Sequence, residues 1–374
     1  MPARITDLAE STNITASSFV PIVDNNESVS SKNKKISITD LRKFNYANQQ
    51  NSSSFTKHTP GLYYFGDNSD GAGNFSGSIT TLRTRISASF ASTQDGVPVI
   101  KNFSSLFISR SVVLSPTNRC RGMLIFVDGD ATISGSLRMT GRGASAVGAD
   151  ASFSTINPPY LGDYWSTQLF PSSSYLSRVF AVGAAGSSYG TDGVTGVNGR
   201  SGGGGGGSSY GGPSAGSGAT GTSFSGGSGG GGSQINVING SSASGNGGAG
   251  GNGATGPGGT GGGGAGNPGG TPNGGQGTGG LLILIVRGNL RIGPNGSITS
   301  NGSNGGNASS PTQGGGGGGS GGGVLYVYYG GTLTNNGTVT ASGGTRGTGG
   351  NVAGNGGAGT AILSKLNTAF PAAN

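Results

Sequence analysis

The apolar positions of this chain fall into three copies of one pattern. Gly122 leads into the run MLIFV at 123–127, Gly280 into LLILIV at 281–286 and Gly323 into VLYVYY at 324–329. Each run ends in a glycine turn, at Asp128-Gly129, Arg287-Gly288 or Gly330-Gly331. A short alternating segment follows, and each copy closes on Gly135-Ser136-Leu137, Gly296-Ser297-Ile298 or Gly337-Thr338-Val339. Runs of five or six residues bounded by turns predict short β-strands. The opening runs are apolar at every position, which predicts burial on both faces. The alternating segments are expected to point Leu137, Ile298 and Val339 inward.

A unit of short strands with a turn at each corner fits a coil of a β-solenoid, in which stacking buries what one unit cannot. It fits the units of a β-sandwich equally well. The expected fold is therefore all-β, with short-strand β-solenoid-like or β-sandwich units interleaved with glycine-rich segments. The first two copies are much farther apart than the last two, and the intervening segments hold most of the glycine.

Glycine accounts for 85 of the 374 residues, and 69 of these lie from Gly193 onward. Each glycine in a helix interior costs about 1 kcal/mol relative to alanine, so helical bundles and Rossmann-type folds are excluded. Unbroken runs occur at 202–207, 261–264 and 314–319. Glycine also recurs at every third position through 247, 250, 253, 256, 259 and 262. That spacing matches the three-residue turn of a polyproline II-type helix. Without side chains, such helices approach closely and hydrogen-bond their peptide groups to one another. Packed polyglycine II-type segments are the expectation, against the flexible linker that composition alone suggests.

Formal net charge is +8, from 21 Lys and Arg against 13 Asp and Glu. The excess favours anionic partners, but the basic residues are dispersed. The one dense group, Lys32, Lys34, Lys35, Arg42 and Lys43, reads as a solvated segment, and no nucleic-acid partner is expected. All thirteen acids lie between Asp7 and Asp192. The remainder of the chain lacks the carboxylate pair of a glycosidase and the Asp oxygens of a calcium repeat. The close acid pairs, Asp67 with Asp70 and Asp128 with Asp130, have the composition of turns. His58 is the only histidine, so a His-based triad or multi-His zinc site has no second member. Cys120 is the only cysteine and reads as a buried, inert thiol. No glycine run leads into Lys-Ser or Lys-Thr, so no phosphate-binding loop is present. Catalytic residues, metal ligands and cofactors are expected to be none.

Aromatic residues concentrate between Phe153 and Phe180, including Tyr160, Tyr164 and Trp165, the only tryptophan. Exposed, these rings would stack on sugar faces; buried, they would form a small core. Tyr189, Tyr210 and Phe224 in the glycine region are a second candidate binding surface. The start of the chain has no apolar run of signal-peptide length, and synthesis in the cytoplasm is expected.

Residues 4 to 45 carry ITDL at 5–8, FVPIVD at 19–24 and KISITDL at 35–41. In that order they resemble the virion-attachment region of tailed-bacteriophage tail fibres. An apolar strand is followed by a basic-polar strand leading into a short helix. The stretches 119–143 and 280–350 are similar to glycine-rich domains of phage fibre and adhesin proteins. The resemblance implies a homotrimer on the virion, attached to a tail or baseplate protein through Ile5, Leu8, Phe19, Pro21, Ile22 and Val23. It implies no enzyme but a receptor-binding fibre for a host cell-surface glycan or outer-membrane receptor. The alternatives are a structural head fibre or capsid decoration protein, and a polysaccharide-degrading tailspike using Asp128, Asp130 or Asp163. The expected organisation is an attachment segment over 1–50, a β-rich domain with the aromatic insert over 51–182 and a glycine-rich distal domain over 183–374.

Overall fold

The structure, a computed structural model of the chain, describes residues 65–66, 68–77, 86–96, 98–144, 183–185, 187–188, 190–197, 199–208, 215–222, 224–232, 277–309, 314–349 and 351–366. It also describes the backbone of residues 19–23, 33–37, 255–256 and 259–260. The chain divides into two compact units, Met1–Tyr63 and Tyr64–Asn374.

In the first unit, β1 (Phe19–Val23) pairs antiparallel with β2 (Asn33–Ser37), with Pro21 opposite Lys35. A two-stranded pair has only edges, which is where proline, lacking an N–H, is tolerated in a strand. The short helix expected after β2 lies outside the described residues.

The second unit is built from five coils that each cross three sheets. The first coil comprises β3 (Ala72–Phe75), β4 (Ile86–Phe90) and β5 (Val99–Phe103), and the second β6 (Ser105–Ile108), β7 (Val112–Pro116) and β8 (Met123–Val127). The third coil starts with β9 (Ala131–Ile133) and β10 (Ser136–Arg138). A long insertion containing the small strands β11 (Thr255–Gly256) and β12 (Gly259–Thr260) precedes its last strand, β13 (Leu281–Val286). The fourth coil is β14 (Leu290–Ile292), β15 (Ser297–Thr299) and β16 (Val324–Tyr329), and the fifth β17 (Leu333–Asn335), β18 (Thr338–Thr340) and β19 (Thr360–Lys365). The first, second and third strands of successive coils stack into three five-stranded sheets, and every pairing within them is parallel. Among the described residues there is no α-helix. The fold is all-β with parallel strands in three sheets, as in a β-solenoid-like arrangement and unlike an antiparallel sandwich.

Burial follows the alternation of side chains along each strand. In the third sheet, Met123, Ile125 and Val127 of β8 and Leu282, Leu284 and Val286 of β13 join Ile133, Leu137, Ile292 and Ile298 of the other two sheets in one core. Leu124, Phe126, Leu281, Ile283, Ile285, Tyr326 and Tyr328, on the opposite face of that sheet, form a second core with Phe65, Ala144, Phe224 and Leu366. A sheet covered on both faces explains why these runs contain no polar position. Leu137 and Ile298 are fully buried, and Val339 packs against the first core while partly exposed.

The register differs from the simplest alignment of the three copies. Gly122 and Gly280 invite a match of Met123 with Leu281, yet Met123 pairs with Leu282. The one-residue difference is taken up at Gly122, whose φ of 145° suits glycine and where a Cβ would crowd Leu281. A slip of one residue would turn every core side chain to the wrong face, so the stacked glycine corners dictate the pairing. There Gly288 donates to the carbonyl of Gly129 and Gly331 to that of Gly288.

Between Gly256 and Gly259 the chain reverses, because β11 and β12 pair antiparallel. The expectation of short packed polyglycine II-type segments through 247–262 falls mostly on residues outside those described. Pro257-Gly258, between the paired strands, is a strong turn sequence. The rest of that stretch lies outside the described residues.

Candidate functional site

The large insertions all leave the solenoid at one corner, between the second and third sheets. They occupy 139–280 in the third coil, 300–323 in the fourth and 341–359 in the fifth, as the strand order dictates. Their described portions run beside one another, joined by backbone hydrogen bonds.

Segment 202–208 shows how they are joined. The amides of Gly202, Gly205 and Ser208 donate to the carbonyls of Gly322, Gly319 and Gly316. Those of Gly203 and Gly206 donate to Val194 and Thr191, and those of Gly204 and Gly207 to Ala219 and Gly216, all at 2.8–3.0 Å. Each neighbour is thus addressed once every three residues. The carbonyls of 202–207 accept from three further segments: from Gly227 and Gly230, from Gly357 and Gly354, and from Ser187 and Gly190. Six neighbouring segments surround one, and its N–H and C=O groups find partners without a side chain. Segment 317–323 is a second hub, donating in turn to 300–306, 227–230 and 354–357.

Glycine is required here by contact, not by turn geometry. A Cβ on Gly204 would overlap the carbonyl oxygen of Ser228, and one on Gly318 that of Gly205. The buried exceptions to glycine are small, such as Ser201, Ser228 and Ser320.

Side chains enter at the margin in the same three-residue rhythm. Asn301, Asn304 and Asn307 accept, through Oδ1, the backbone N–H groups of Ser342, Thr345 and Thr348 at 2.8, 2.9 and 2.9 Å. Gly302, Gly305 and Ala308 donate back to the carbonyls of those same residues. Farther along the margin, Asp192, the last acid of the chain, accepts the Asn355 N–H at 2.6 Å. Val194, Val197 and Val352 are exposed on the bundle.

The carboxylates of the solenoid serve its corners. Asn68 adopts a left-handed φ of 61° in the turn closed by the Gly71 N–H, a conformation asparagine tolerates. Asp70 accepts the Asn102 N–H at 2.7 Å and pairs with Lys101 at 2.5 Å. Asp128 holds Arg287 of the next coil at 2.9 Å and accepts from Asn68. Asp130 accepts the Asn289 N–H at 2.6 Å, and Asn289 in turn accepts the Thr332 N–H at 2.9 Å. These turns thus tie coil to coil. Cys120 is fully buried; burial pushes its thiol pKa up, and its Sγ donates to the Gly122 carbonyl. Among the described residues no group of His, Cys, Asp and Glu is placed to hold a metal.

Of the receptor-binding candidates, Tyr160, Tyr164, Trp165, Tyr189 and Tyr210 lie outside the described residues. Phe224 is 4% exposed and packs in the second core, so its ring does not face solvent. Of the attachment residues, Phe19, Pro21, Ile22 and Val23 form β1, whereas Ile5 and Leu8 lie outside the described residues. Sequence reasoning missed the asparagine row, whose signal is the spacing of Asn301, Asn304 and Asn307 against Ser342, Thr345 and Thr348.

Comparison with family models, curated proteins and solved structures gave no match.

Proposed function

We propose that the glycine-rich segments form a bundle of polyglycine II helices and that the chain is a phage tail fibre protein. In this reading the N-terminal segment containing β1 and β2 docks on a tail or baseplate protein of the virion. The solenoid carries the bundle to a host cell-surface receptor, a glycan. The three-residue recurrence of hydrogen bonds around segment 202–208 supports the helix assignment, because polyproline II geometry has three residues per turn and no internal hydrogen bonds.

The observation that carries the functional reading is the common corner from which the three insertions leave. A bundle held by backbone alone is stiff and free of side-chain packing constraints, so its connecting loops can vary without unfolding it. In the sequence, Tyr189 and Tyr210 fall at connections between glycine segments. Loops on a rigid scaffold are where binding residues concentrate, and hydroxyl, amide and aromatic groups suit sugars. The resemblance of residues 4–45 to fibre attachment regions supports a virion protein and a homotrimer. Three copies per fibre would raise avidity about 100-fold or more over one site where geometry permits.

Gold-labelled antibodies against the chain, applied to particles that carry it, are expected to mark distal tail appendages. The soluble full chain should slow particle adsorption to host cells. Label over the capsid would replace this reading with a head fibre, and unchanged adsorption would refute receptor binding.

A further inference from the structure

A polar groove with a volume of about 660 Å³ opens where the first insertion leaves the solenoid. Its walls include Gln94, Asn118, Arg119, Arg138, Thr140 and Arg142. Among the described residues no aromatic lines it, and three of its lining side chains are guanidinium groups.

The arginines are gathered by the stacking of coils. Parallel bridges join Gly96 to Cys120 and Cys120 to Gly143. The preceding residues, Asp95, Arg119 and Arg142, therefore follow one another up the corner at the roughly 4.8 Å spacing of neighbouring strands. The amide of Asp95 donates to the Arg119 carbonyl and that of Cys120 to the Arg142 carbonyl. Asp95, in a left-handed turn with φ 53°, grips Arg119 through both oxygens, at 2.9 and 3.2 Å. The acid column ends there. Arg142 forms no ion pair among the described residues, and the chain supplies no acid after Asp192. Arg138 ends β10 with its side chain exposed. The neutral wall is fixed in place: Asn118 donates to the Ser92 carbonyl at 2.7 Å, and Thr140 accepts the Asn301 N–H while donating to Thr299.

We infer that this groove binds an anionic group, a carboxylate or a phosphate, carried on a host-surface polysaccharide. The inference rests on the adhesin reading above and deepens it by naming the ligand class. Arg142 and Arg138 supply the charge, Arg119 is held rigid by Asp95, and the amide and hydroxyl wall faces the sugar. Guanidinium groups bind both anions through paired, charge-assisted hydrogen bonds. Single-stranded nucleic acid is the poorer fit to the described lining, because its binding sites combine basic grooves with aromatic stacking platforms and no described lining residue is aromatic.

The test titrates the full chain with polygalacturonate, phosphorylated mannan, neutral dextran and single-stranded DNA. Binding is expected to the first or second polymer and not to dextran, and to weaken as salt is raised. The polymer preferred distinguishes carboxylate from phosphate. The R138A/R142A variant should lose affinity about tenfold or more, as expected when charge-assisted hydrogen bonds are removed. R138K/R142K should recover part of it, and R291A/R346A, which removes two exposed charges outside the groove, should leave it unchanged. Far-UV circular dichroism and melting of each variant separate lost binding from lost folding. No binding to either acidic polymer, an equal loss in R291A/R346A, or DNA binding of equal strength lost in R138A/R142A would each overturn the inference. Host-cell adsorption by the wild-type chain is measured in parallel. Adsorption that persists unchanged in R138A/R142A removes the groove and keeps the adhesin, whereas absence of wild-type adsorption removes the adhesin reading itself.

Discussion

The side-chain oxygen of Asn304 accepts the backbone N–H of Thr345 at 2.9 Å, while the next residue, Gly305, donates to the Thr345 carbonyl at 2.8 Å. Asn301 and Ser342, and Asn307 and Thr348, repeat the arrangement one three-residue turn to either side. In this row a side-chain amide does what a seventh glycine segment would do in the interior. It supplies the acceptor that the outermost segment lacks.

Replacing Asn304 by alanine is expected to cost about 0.5–1.5 kcal/mol, the net worth of one hydrogen bond. The N301A/N304A/N307A variant should add the three costs approximately. Hydrogen exchange provides the check: the amides of Ser342, Thr345 and Thr348 should exchange faster, with those of β13 unchanged. Uniform acceleration through the solenoid would show that the row does more than fasten the margin.

Gly204→Ala and Gly318→Ala should each destabilise the bundle by about 1–3 kcal/mol or more, since overpacking forces backbone shifts and the obstacle at each position is a carbonyl oxygen. Ser217, exposed on a neighbouring segment, should accept alanine with a change within about 0.5 kcal/mol. Thermal melts of the three variants settle the comparison. Equal melting temperatures would mean that the segments are not in close backbone contact.

Phe224→Ala is expected to lower stability by about 3–5 kcal/mol, as for other buried phenylalanines, without a specific effect on receptor binding by the folded fraction. Denaturant unfolding and adsorption measured on the same preparation separate the two. A stable variant with lost adsorption would return Phe224 to the surface role that its position in a glycine-serine stretch suggests.

Cys120 adds a pH dependence whose sign follows from its burial. The folded protein holds the thiol proton more tightly than the unfolded chain, whose ordinary value is 9.0. Its contribution is complete below that value and is lost as pH rises toward the folded-state pKa, because the unfolded state ionises first. Stability should therefore fall above pH 9.0 in the wild type and fall less in Cys120→Ala. At neutral pH the thiol should resist maleimide until the protein unfolds; rapid labelling of the native chain would contradict the buried position.

Much of this architecture is legible along the chain. LLILIV and VLYVYY announce strands covered on both faces because no position in them tolerates water. Unbroken glycine from 202 to 207 and from 314 to 319 announces close backbone approach, because nothing else removes every side chain. Asp128-Gly129-Asp130 announces a turn, and its carboxylates act within corners. Other relationships exist only in three dimensions. Periodicity records which face of a strand is buried but not which distant segment buries it, so the one-residue offset between β8 and β13 had to come from the stacked corners. Hydrogen bonds between glycine segments leave no mark in the sequence, since every glycine presents the same donor and acceptor; the six neighbours of 202–208 are set by where the chain returns. Phe224 looks exposed among serines and glycines until the outer face of the third sheet is placed against it. The stack of Asp95, Arg119 and Arg142 is likewise a product of coiling, which brings residues from three successive coils to one corner.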